Sequence, residues 1–203
     1  MKNTKASQAA EAAFNEVYTQ IAELVKKTPA PFIIAIDGKT CAGKSALACW
    51  LAAKTGADVF KTEDFYLPQT AQKPEKNTLT EGSVDLERFK REVILPLSKG
   101  KEVLYTAYNS IEGKFAETIK KPAKKIAIVK GCYTLHKALC KYYSFKIFMT
   151  ITPDAQEKRI IKRNGQKAVM LFSKIIIPAE EEFFSNNKVL SKADCVIDST
   201  QLW

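Results

Sequence analysis

A three-layer α/β sandwich, with a mostly parallel sheet of about five strands flanked by helices, is the fold class this sequence predicts. Three observations carry it. Short apolar runs recur at residues 32–36, 58–61, 126–129, 145–150 and 195–197. Stretches of helical character separate them, and strands alternating with helices pair in parallel with both faces covered. Gly38-Lys39-Thr40-Cys41-Ala42-Gly43-Lys44-Ser45 lies directly after the first run and before a helix-forming stretch, a strand–glycine loop–helix junction typical of such sheets.

The elements follow in order. Residues 5 to about 27 are rich in Ala, Glu and Lys, with apolar positions at Phe14, Val17, Tyr18, Ile21, Leu24 and Val25. Gaps of three, one, three, three and one suit an amphipathic helix. Residues 1–30 therefore read as an N-terminal helical segment and 31–203 as the main domain. Pro29 and Pro31 end the helix and set an extended lead-in to the first strand. The second strand delivers Thr62-Glu63-Asp64-Phe65-Tyr66 to the carboxyl edge of the sheet, where open parallel sheets gather ligands. From about 67 to 82 the chain is polar without periodicity and reads as a loop of the kind that serves as a lid or binding loop. Lys120-Lys121-Pro122-Ala123-Lys124-Lys125 reads as a solvated loop before the third strand, and Phe183-Phe184 as a helix packing onto the sheet.

The glycine segment fits G-x-x-x-x-G-K-[S/T] at every fixed position. A chance match in a chain this long has odds of roughly one per cent at average glycine usage. Backbone N–H groups of such a loop and of the first helical turn converge on one concavity, where the helix dipole also favours negative charge. The pattern points to a P-loop NTPase-type sandwich that binds ATP and Mg²⁺ through residues 38–45, with Lys44 along the β- and γ-phosphates and Ser45 as metal ligand. Glu63 and Asp64 are candidates to accept a proton from a substrate hydroxyl or to hold Mg²⁺. Asp37 would orient a metal-bound water or cap local N–H groups. Cys41 is an oxidation-sensitive thiol only if its thiolate is stabilised there; otherwise it is a small tolerated side chain.

Composition bounds the rest. With 203 residues, 46% hydrophobic and 27% charged, the chain suits one domain with a real core. No apolar run approaches the roughly 18 residues of a membrane span. Glu11, Glu16 and Glu23 interrupt what would be a secretory h-region. Five cysteines without a C-x-x-C pair argue against a disulfide framework or zinc site, so a reducing cytoplasm is the expected compartment. The net charge of +10 is spread widely and accompanies no nucleic-acid-binding motif. It suits a phosphorylated ligand better than DNA or RNA. His136, the single histidine, is expected in a helix-start or packing role. A homo-oligomer stays open.

Further segments match in order and spacing: E-D-F-Y-L-P (63–68), G-S-V-D-L-E-R-F (82–89), Y-T-A-Y-N (105–109), G-C-Y-T-L-H (131–136), Q-E-K-R-I-I-K-R-N-G (156–165), P-A-E-E-E-F-F (178–184) and A-D-C-V-I-D (193–198). Over residues 32 to 198 the chain resembles the uridine kinase and phosphoribulokinase group of P-loop kinases, especially the bacterial uridine kinase-like branch. The resemblance implies ATP-dependent phosphorylation of a hydroxyl, typically the 5′-hydroxyl of a pyrimidine nucleoside (uridine or cytidine). It also implies Glu63 at the position of the catalytic base with Asp64 as a substitute, Asp85 on ribose hydroxyls, and Tyr108 lining the nucleoside pocket. Arg159 and Arg163 would sit on a lid over about 154–170 that closes on the transferring phosphate. The chain departs from the group's pattern at four positions. Lys130-Gly131 stands where Glu-Gly is usual, Glu63 where Asp is usual, Thr106 where arginine is usual, and Ile176 where tryptophan is expected. A lysine pointing into the site would oppose Mg²⁺. The expectation is therefore a cytoplasmic small-molecule kinase, with a nucleotide-binding pseudokinase or regulator of little turnover as the alternative.

Overall fold

The computed structural model of the chain describes residues 4–68, 83–110 and 112–202. The order begins with α1 (Thr4–Lys27), β1 (Phe32–Gly38), α2 (Lys44–Thr55) and β2 (Asp58–Lys61). A helix over residues 86–98 leads to β3 (Val103–Asn109), β4 (Lys114–Lys121), β5 (Ile126–Lys130) and β6 (Phe145–Thr150). A helix at Pro153–Asn164, further helical turns to residue 186 and β7 (Cys195–Asp198) complete it. β2, β5, β1, β6 and β7 form one parallel five-stranded sheet in that order, the five strands expected from the apolar runs.

β1 lies in the middle and is buried along its whole length. Its two-residue period divides it between two cores. Ile33 and Ala35 pack with Phe65, Phe89 and Phe183 on one face, while Phe32, Ile34 and Ile36 pack with Ile21, Leu47 and Leu51 on the other. Each such side chain contributes about 1.5–3 kcal/mol by leaving water, and together they make the sheet the middle of three layers. The apolar stripe of α1 docks into the second core, with Phe14, Val17 and Ile21 buried. Phe14 and Tyr18 meet Trp50 of α2 edge-on, with ring centroids 5.8 and 6.1 Å apart.

Two helical stretches carry π-helical turns, at Lys90–Ile94 and Phe172–Ile176. Pro96 and Pro178 follow directly in the next α-helical turns. Proline lacks an N–H and crowds the carbonyl four residues back, here Glu92 and Lys174, both inside the wide turns; the added width lets the helix continue past the proline.

β3 and β4 pair as an antiparallel hairpin outside the main sheet, which corrects the expected loop at 120–125 because Lys120 and Lys121 belong to β4. These lysines make surface ion pairs with Glu102 (3.3 Å) and Asp58 (3.2 Å), contacts worth little individually. Most of the polar stretch at 67–82, from 69 onward, lies outside the described residues. His136 takes a packing role: its Nδ1 accepts from the N–H of Ala138 (3.2 Å) and its ring stacks near Phe183.

Candidate functional site

β1 ends against β6 so closely that a Cβ on Gly38 would collide with the backbone of Met149. Only glycine lets the chain turn here into the loop. The turn continues through Cys41 (φ 62°) and Gly43 (φ 96°), and Gly43 starts α2 with no side-chain cap. The first N–H groups of α2 have no intrahelical acceptor, so they stay open to an anion. Nζ of Lys44 folds back over the loop, donating to the carbonyl oxygens of Gly38 (2.5 Å) and Lys39 (3.0 Å).

The loop is held from beneath by groups far away in sequence. The buried Glu180 carboxylate accepts from the Thr40 N–H (2.9 Å), the Thr40 hydroxyl (2.7 Å) and the Cys132 thiol (3.4 Å). Nε2 of Gln156 donates to the Thr40 carbonyl (3.0 Å), and Lys39 pairs with Glu181 (2.8 Å). Ala42 is fully buried beneath the loop. Burial pushes the Cys41 thiol above its ordinary pKa, although Arg163 and Lys44 pull the other way, so its thiolate is not stabilised.

Asp37 is fully buried and accepts the N–H groups of Gly38 (2.7 Å) and Leu135 (2.8 Å), the capping role among the two expected of it. Burial raises its pKa to about 6, against the opposing pull of Lys44 and the two N–H donors. A carboxyl with a raised folded-state pKa holds its proton longer folded than unfolded. Stability therefore falls as pH rises from about 4 to about 6, by about 3 kcal/mol for two pKa units. Urea unfolding at pH 4 to 7 should show this descent in the wild type and lack it in Asp37→Asn. Parallel curves would exclude Asp37 as its source.

Lys130 ends β5, in register with Ile36 of β1 and Lys61 of β2. Its Nζ donates to Glu63 Oε1 (2.7 Å) and Ser45 Oγ (3.1 Å), and its side chain is only 9% exposed. Mg²⁺ binds oxygen at about 2.0–2.1 Å, so an ion on Ser45 would lie within about 5 Å of this ammonium whatever its direction. With an effective dielectric near 20 the repulsion is about 6–7 kcal/mol. The residues present do not fit the divalent ion expected at Ser45.

A cavity of about 870 Å³ opens over the loop, within the range of small-molecule sites. It is lined by Gly43, Lys44 and Ser45 of the loop and α2, by Glu63, Tyr66 and Cys132, and by Lys158, Arg159, Lys162 and Arg163 of the helix at 153–164. Phe172 and Ile176 supply an apolar wall. Cations outnumber anions here, which raises the local concentration of phosphorylated ligands. Burial raises the pKa of the Tyr66 and Cys132 side chains, which stay protonated.

The sequence-derived candidates divide. Residues 40, 41, 43, 44 and 45, Glu63, Arg159 and Arg163 meet at the cavity. Asp64 does not: its Oδ2 accepts from the Tyr105 hydroxyl (2.9 Å), because consecutive residues of the 3₁₀ turn Thr62–Phe65 diverge. Asp85 caps the helix at 86, its Oδ1 accepting from the Arg88 N–H (2.9 Å), and Tyr108 packs edge-on to Phe115 (5.3 Å); neither lines the cavity. Arg159 is tied to carbonyl oxygens of Cys41 (3.2 Å), Ser199 (2.5 Å) and Thr200 (3.3 Å), an anchor between the loop and the end of β7. Arg163 Nε donates to Asn164 (2.8 Å) and its guanidinium lies over Phe172. Sequence reasoning passed over Tyr66, Cys132, Glu180, Lys158 and Lys162. Tyr66 carried a signal in its place three residues after Glu63, and Glu180 one in the matching segment 178–184, but its contact with Thr40, 140 residues away, did not show there.

No protein-family model matches the chain, and no curated protein matches it in sequence. Among solved structures, a possible uridine kinase from Bacillus stearothermophilus superposes with a TM-score of 0.73 at 16% identity, over 93% of this chain and 98% of that one. A proposed fructose transport system kinase from Silicibacter sp. TM1040 gives 0.68 at 20% identity, over 91% and 98%. A proposed circularly permuted P-loop kinase from Saccharomyces cerevisiae gives 0.60 at 12% identity, over 91% and 98%. Identities this low bear on architecture alone, and the three neighbours agree on it. The chain has the fold of the uridine kinase and phosphoribulokinase-like P-loop kinases.

Proposed function

We propose that the protein is an ATP-dependent kinase that phosphorylates an alcohol group of a small molecule. The observation that carries this reading is one cavity shared by the cradle residues Lys44 and Ser45 and by the carboxylate of Glu63. A hydroxyl acceptor beside Tyr66 would lose its proton to Glu63 as its oxygen bonds to the γ-phosphorus and the bridging P–O bond to ADP breaks. Lys44, with Lys162 and Arg163 of the same cavity, would neutralise the charge that develops on the phosphoryl oxygens. The kinase-like neighbours support the reaction class, and the resemblance in sequence favours a uridine- or cytidine-like nucleoside as acceptor. That no described helix is long and apolar enough to cross a membrane agrees with small dissolved substrates.

A second reading, a nucleotide-binding regulator without turnover, is favoured by the ion pair between Lys130 and Glu63 (2.7 Å). There Glu63 Oε1 already accepts a hydrogen bond from Lys130, where a base would accept one from the substrate hydroxyl. ADP release from ATP should be followed across nucleosides, pentoses and other small alcohols, with the Glu63→Gln variant alongside. The kinase reading expects acceptor-dependent release that falls about 10²–10⁴-fold in Glu63→Gln. Clear ATP binding with no release for any acceptor would establish the second reading.

A further inference from the structure

We infer that Lys130 supplies, as a built-in part of the chain, the positive charge that a divalent ion would bring, so that the site takes the phosphates of a metal-free nucleoside triphosphate. The inference rests on the nucleotide-binding part of the proposed function and holds with or without turnover.

Lys130 belongs to β5, paired on one side with β1 and on the other with β2. Its backbone is thereby held between two strands, and its ammonium reaches Ser45 and Glu63, two residues that line the cavity. The ammonium is 2.7 Å from Glu63 Oε1 and 3.1 Å from Ser45 Oγ, distances of ordinary N–H···O hydrogen bonds. These two oxygens are the side-chain ligands that a metal at this edge would need, and both already accept from Lys130. Glu63 Oε2 is buried and has no hydrogen-bond partner among the described residues, and a Cβ on Gly131 would press against it at 2.6 Å.

The charge balance is consistent with this occupancy. A metal-free triphosphate carries more negative charge than its magnesium complex, and the cavity meets it with Lys44, Lys158, Lys162 and Arg163. An ammonium also costs no ordering of a hydrated ion at the moment of binding. A divalent ion on Ser45 would lie within about 5 Å of this ammonium and be repelled by it.

The test is titration calorimetry of the full chain with ATP, once in EDTA and once in excess Mg²⁺, repeated with inorganic tripolyphosphate. In the wild type, binding in EDTA should be at least as tight as in Mg²⁺. Lys130→Glu should lose tenfold or more in EDTA and regain it when Mg²⁺ is added. Lys130→Met, which keeps the length of the side chain without its charge, should lose affinity in EDTA even if the glutamate variant fails to fold. Wild-type ATP binding that Mg²⁺ tightens tenfold or more would overturn the inference and leave the nucleotide-binding reading in place. No binding of ATP or tripolyphosphate under either condition would overturn both.

Discussion

Glu180→Ala is expected to lower the free energy of unfolding by about 3–5 kcal/mol and to loosen the phosphate loop. The carboxylate is 2% exposed, and it accepts the N–H and hydroxyl of Thr40 and the thiol of Cys132. Alanine leaves all three donors without their acceptor. A stranded buried donor costs about 1–3 kcal/mol, the thiol least. Removing a buried negative charge recovers part of its desolvation cost, which is why the total falls short of the full sum. Glu180→Gln keeps one acceptor but turns an NH₂ group toward a Thr40 donor, so about half the loss is expected. Urea unfolding at pH 7 measures both variants. An alanine variant within about 1 kcal/mol of the wild type would show that Gln156 and Asp37 hold the loop without Glu180.

Lys44→Ala is expected to separate function from stability. Nζ donates to the carbonyl oxygens of Gly38 and Lys39, its only acceptors among the described residues. Water in an open cavity can replace those bonds, so stability should change by less than about 1 kcal/mol. With ATP bound as proposed, the same ammonium would lie along the β- and γ-phosphates. Its loss should lower kcat/KM for ADP release on the order of 10³-fold, the scale of removing a preorganised charge-stabilising donor. Where turnover is absent, the same variant should lose ATP binding in calorimetry. Unchanged nucleotide affinity together with unchanged turnover would remove the cradle from the proposed function.

Much of the architecture was legible in the residues because it rests on short-range patterns. The apolar runs at 32–36 and 145–150 became neighbours in the sheet, the first buried throughout and the second for the most part, since a strand covered on both faces reads as a largely apolar stretch. The stripe through Phe14, Val17 and Ile21 became the docked face of α1 for the corresponding helical reason. The hairpin was not legible. β3 carries a register shift between Thr106 and Tyr108 and β4 is largely exposed, so neither gives a clean apolar signal.

By itself, the sequence determined that an anion-binding loop sits between a buried strand and a helix, because glycines at 38 and 43 and a lysine at 44 act within a few residues of one another. Tertiary structure alone decided which of the neighbouring acids Glu63 and Asp64 reaches the cavity, that Asp85 caps a helix, and that Arg159 bonds the loop to the end of β7 while lining the cavity. It also decided where Lys130 points. The residue was conspicuous in the sequence, but the pairing of β5 with β1 and β2 sets its ammonium between Ser45 and Glu63, 85 and 67 residues away. Contacts at that separation depend on how strands align in space, and no local spacing in the chain encodes that alignment.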